Sequence, residues 1–60
     1  MDERTPVWVT SDMAAYWLRT TYHVEITAAA VRKWAERGYL RRRYDLWEVV
    51  EVARERGVIQ

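Results

Sequence analysis

Apolar positions along this chain recur at helical spacing in three stretches, each bracketed by residues that start and stop helices. In the first, Ala14, Trp17 and Leu18 fall at i, i+3 and i+4 and make one stripe, with Tyr16 and Arg19 off it. Thr10 or Ser11 supplies a capping hydroxyl, Ser11 being read as a cap, and Asp12 complements the positive helix end. The β-branched Thr20-Thr21 pair predicts the end of this helix. A turn from Thr20 to Ile26 follows, longer than the link of about three or four residues common between such helices.

The second stretch opens on Thr27, a natural N-cap, and Ala28-Ala29-Ala30, a strong helix former. Val31, Trp34 and Ala35 form its apolar side; Ala29, Arg32, Lys33, Glu36 and Arg37 form the other. Gly38 fits the left-handed position that stops a helix, which predicts helix 2 over about 28–37. Tyr39 to Tyr44 then holds Leu40, a core anchor, and three consecutive arginines. Asp45 with Glu48 reads as a capping box, and Leu46, Val49, Val50 and Ala53 give a 3.6-residue stripe. Gly57 ends helix 3, and Val58-Ile59 are placed to tuck back. At the other end, residues 1–5 read as a frayed terminus and Pro6-Val7-Trp8-Val9 as a short extended segment. The whole, 1–60, is one small all-α domain of three helices.

Charge changes the picture. The net value of +1 averages over three unlike segments: residues 1–31 carry −2, residues 32–43 carry +5 and residues 44–60 carry −2. Six of the ten cations therefore fall in one short block, and nine of the ten are arginine. A local block of this kind attracts anionic partners that the net charge conceals. Arginine's planar fork suits bidentate contact with phosphate and with guanine edges. The block falls on the polar side of helix 2 and on the link after it. An all-alanine first turn followed by cations is what a helix entering a DNA major groove requires: a slim leading end, then charge.

Other chemistry is sparse. With no cysteine and one histidine, His23, neither a metal site nor a thiol nucleophile is expected. Ser11 is the sole serine, the two glycines are helix stops, and the carboxylates Glu48, Glu51 and Glu55 read as a solvated face paired with Arg54. No catalytic residue, cofactor or enzyme activity is expected. No apolar run approaches the roughly 18 residues of a membrane span, so no membrane partner is expected either, and the cytoplasm is the default compartment. Trp17 and Trp34 sit on stripes and are expected in the core. Trp47 neighbours the helix 3 stripe and is open to two roles: packing on the basic link, or a partner patch.

The segment Val31-Arg32-Lys33-Trp34-Ala35-Glu36-Arg37-Gly38-Tyr39-Leu40 resembles the second-helix signature of MerR-like winged helix-turn-helix domains. Val9-Thr10-Ser11-Asp12-Met13-Ala14-Ala15 with Leu18 resembles that family's first helix, and Tyr44-Asp45-Leu46 with Glu48-Val49 its strand exit and third helix. The likeness spans about residues 7–56 and includes the small phage excisionases, or recombination directionality factors. It implies a winged helix-turn-helix fold, with at most a minimal two-stranded wing because Arg41-Arg42-Arg43 offers no turn residue. It implies sequence-specific binding of double-stranded DNA, as an excisionase-like architectural factor or a transcriptional regulator. Arg32 matches the DNA-contacting arginine, Lys33 and Arg37 match exposed recognition-helix positions, and Arg41, Arg42 and Arg43 match the wing. Thr27 and Ala29 at the leading end of helix 2 complete the expected DNA-binding set. An integrase or other DNA-bound protein is a further expected partner, as is cooperative self-association on DNA. The alternative expectation is a protein-interaction module that binds a recombinase, polymerase or repressor through Trp47 and the acidic helix 3.

Overall fold

The computed structural model describes residues 5–41 and 43–59; Arg42, Gln60 and residues 1–4 of the expected frayed end at 1–5 lie outside them. Three helices form: α1 (Ser11–Tyr22), α2 (Ala28–Glu36) and α3 (Leu46–Glu55). The α1 helix packs chiefly on α2 and also on α3. The buried centre comprises Ala14, Ala15 and Leu18 of α1, Val31 and Trp34 of α2, and Leu46, Val49, Val50, Val52 and Ala53 of α3. Ile26, Leu40 and Ile59 close it from the connecting segments and the tail. The three stripes thus meet in one core, as their spacing requires.

The caps explain where the helices start and stop. Thr10 caps α1 by accepting from the Met13 N–H at 3.1 Å. Ser11 is the first residue of the helix, is buried, and is not the cap. The helix also runs past Thr20-Thr21 to Tyr22. The Thr20 hydroxyl donates back to the carbonyls of Tyr16 and Trp17, at 3.0 and 3.2 Å, so this β-branched residue is absorbed into the helix. The stop is His23, left-handed at φ 56°. The connection to α2 is consequently shorter than the sequence pattern indicates and runs from His23 to Thr27.

Thr27 caps α2 through the Ala30 N–H at 3.2 Å, and Arg37 is the C-cap rather than the last helical residue. Gly38, at φ 81°, lets the chain close a pair of hydrogen bonds over the helix end: Tyr39 N–H to the Trp34 carbonyl at 2.9 Å, Gly38 N–H to that of Ala35 at 3.1 Å. The same closure ends α3 at Gly57, with Val58 N–H donating to the Ala53 carbonyl at 2.9 Å and Gly57 N–H to that of Arg54 at 3.2 Å. Val58 and Ile59 then turn back and bury Ile59.

Among the described residues the link from Tyr39 to Tyr44 contains no strand. The sole pairing is an antiparallel bridge between Trp8 and Asp45. Val9 N–H donates to the Tyr44 carbonyl at 3.0 Å, and Leu46 N–H to that of Val7 at 2.8 Å. The extended N-terminal segment therefore lies along the exit of the basic link. Tyr44 supplies the positive φ that the arginines cannot, at 53°. Tertiary hydrogen bonds hold a tyrosine there, in a region where a bulky side chain is rare.

Candidate nucleic-acid interface

The α2 helix presents three rows to the outside. Its crest carries Ala29, Lys33 and Glu36, all exposed, at i, i+4 and i+7. The slim Ala29 leads, and Arg37 stands just past the far end. On one flank Arg32, Ala35 and Glu36 border a depression of about 400 Å³ that Arg41 and Arg43 also line, with Leu40 and Tyr44. On the opposite flank Thr27, Ala30 and Trp34 border a cleft of about 600 Å³ completed by Arg19, Glu25, Ile26, Arg56 and Val58. The structure thus brings Arg32, Arg41 and Arg43 together beside α2, and keeps Thr27, Ala29, Lys33 and Arg37 on the same exposed helix. Arg42, the remaining member of the expected set, lies outside the described residues.

The cations differ in how they are held. Arg32 donates through a terminal guanidinium nitrogen to the Ser11 hydroxyl at 3.2 Å, which steadies it against the first turn of α1. Arg41 is 91% exposed and lies 3.8 Å from the Glu48 carboxylate, a loose pair of the kind that contributes little to stability. Lys33, Arg37 and Arg43 are exposed, and among the described residues their side chains form no ion pair or hydrogen bond. Their charge is available to an external anion without first breaking an internal contact. The Thr27 hydroxyl is committed as an acceptor to its cap, which leaves its proton free to donate.

Two cations outside the basic block also stand beside α2. Arg19 donates to the Ile26 carbonyl at 2.8 Å, bracing the turn between α1 and α2. Arg56 stacks over the Tyr39 ring at 4.6 Å, joining the end of α3 to the link after α2. Neither stands out in the sequence, because each lies outside the cationic block at residues 32–43. Only the fold carries them to the same flank.

The acidic side of α3 is not a uniformly solvated face. Asp45 is buried, and one of its carboxylate oxygens accepts from Val7 N–H at 3.1 Å and from Trp47 N–H at 3.3 Å. Glu48 is half-buried beside Arg41, while Glu51 and Glu55 are exposed. Trp47 is also half-buried, its ring edge-on to Trp17 at 6.2 Å; Trp17 in turn meets Tyr22 at 5.7 Å. Trp17, expected inside, lies at the margin of the core in this aromatic cluster. The exposed tryptophan is Trp8, at 63%, because its backbone is held at the bridge while its ring projects outward.

Among the described residues no group of three or more His, Cys, Asp or Glu side chains is arranged to hold a metal ion, and no helix is long and apolar enough to cross a membrane. No family model, curated protein or solved structure matches the chain.

Proposed function

We propose that this protein is a winged helix-turn-helix domain of the MerR-like kind that binds double-stranded DNA, with α2 in the major groove. The observation that carries this reading is that Lys33 on α2, led by Ala29, Arg37 at its C-cap and Arg43 on the link after it are exposed and, among the described residues, unpaired. Stability gives no reason to hold three exposed cations on α2, its C-cap and the link after it without partners among the described residues; an external polyanion does. The α1–turn–α2 unit supports the reading as well. Val31 and Trp34 anchor the inner side of α2 in the core, so its outer side is presented rigidly. In this account the basic link takes the place of a wing and grips the backbone beside α2. An excisionase-like architectural factor and a small transcriptional regulator would use this same surface.

The test is a titration of a labelled duplex of about two helical turns with wild-type protein and with the triple variant K33A/R37A/R43A. Because these exposed side chains make no hydrogen bond or ion pair among the described residues, the variant is expected to keep its fold and melting temperature, which thermal unfolding checks. Duplex binding by the wild type and its loss in the folded variant support the proposal. Unchanged binding in the folded variant contradicts it.

A further inference from the structure

Resting on the DNA-binding reading, we propose that both flanks of α2 seat a phosphodiester backbone. Arg32, Arg41 and Arg43 hold one strand, and Arg19 and Arg56 hold the other. A helix with its side chains is about 10–12 Å across and the major groove about 12 Å wide, so an inserted helix fills the groove. The base edges then face the crest of the helix, and the two backbones run along its flanks. In this chain each flank is a depression lined by arginines.

The geometry at Arg19 and Arg56 suits such a contact. Arg19 spends one terminal nitrogen on the Ile26 carbonyl and keeps further donors for a second acceptor. Arg56 sits over the Tyr39 ring in a cation–π contact, and among the described residues no hydrogen bond or ion pair occupies its N–H groups. Both guanidiniums are already positioned, so binding costs less side-chain entropy than it would for two free arginines. One carboxylate lines each depression, Glu25 on the Arg19–Arg56 flank and Glu36 on the other. Each sits where a phosphate would be repelled, so neutralising either strengthens binding.

Phosphate-ethylation interference on a bound duplex tests the assignment strand by strand, with full-length wild type, R43A, R56A and R56Q. The wild type shows interference on both strands across one major groove. R56A and R56Q lose the interference on one strand only, and R43A loses it on the other. Affinity in R56A falls roughly fivefold, equally for all duplex sequences, and the slope of log affinity against log salt shrinks by about 1. R56K restores part of the loss, and E25Q binds more tightly than wild type. If wild type binds and K33A/R37A/R43A does not, yet R56A, R56Q and E25Q match wild type in affinity and salt slope, this flank carries no DNA strand. An acidic peptide that binds wild type but not R56A, in the absence of any strand-specific interference, also overturns the proposal. Failure of the wild type to bind duplex at all overturns the DNA-binding reading itself.

Discussion

The guanidinium of Arg32 donates to the hydroxyl of Ser11 at 3.2 Å, and this bond ties the outer side of α2 to the first turn of α1. It spans 21 residues of sequence, and it gives the sole serine of the chain a positioning task. A long arginine free in solvent samples many rotamers; this one has a preferred resting place and keeps further donors for a second acceptor. Ser11→Ala therefore lowers duplex affinity about two- to threefold while costing less than about 1 kcal/mol of stability, since the released guanidinium returns to water. Parallel DNA titration and denaturant unfolding separate the two effects. A stability loss with no change in affinity would assign the bond to folding alone.

Asp45 joins two ends of the molecule. Its carboxylate caps α3 at the Trp47 N–H and also accepts from Val7 N–H. Asp45→Ala removes both bonds at a buried position and lowers stability by about 2 kcal/mol. Asp45→Asn, whose amide oxygen can still accept, loses less than half of that. Denaturant unfolding of the two variants side by side checks the order.

Gly38 is required for its backbone rather than for space. A Cβ added there meets nothing within 4 Å, yet φ is 81°. Gly38→Ala therefore costs about 1 kcal/mol through strain, and Gly38→Val costs more. A neutral outcome for both would mean that the link after α2 relaxes, and duplex affinity would then change with it.

Trp47 is a structural residue in this account. Its ring packs edge-on against Trp17, so Trp47→Ala lowers stability by about 2 kcal/mol and leaves DNA affinity nearly unchanged once the protein is folded. Melting and DNA titration at low temperature test both halves. Full stability in Trp47→Ala would favour a partner role for this ring instead.

The three helices, and the stops of α2 and α3, were legible because each rests on local chemistry. Thr27, Gly38, Asp45 and Gly57 act within a few residues of themselves, and the stripes of α2 and α3 follow one period. The misreadings have tertiary or competing causes. Thr20 favours a helix end by its branching, but its hydroxyl bonds back to the preceding turn. Tyr44 carries no signal for positive φ; bonds from a segment far away in sequence hold it there. The same holds for the candidate interface. The cluster at residues 32–43 was visible as charge, whereas Arg19 and Arg56 reach α2 only through the packing of the turn and the tail. Glu48 looked like part of a solvated face, and the second role of Asp45 was hidden, because periodicity does not register a cation across the link or a hydrogen bond to Val7.

The central claim is that the exposed side of α2 and the following link bind the DNA backbone. The salt dependence of duplex binding by the wild-type protein tests it most directly, because each neutralised phosphate adds to the slope. Five or six such contacts predict a slope of log affinity against log salt of about −5, shared by duplexes of unrelated sequence. A slope near zero, or no duplex binding at low salt, would contradict it.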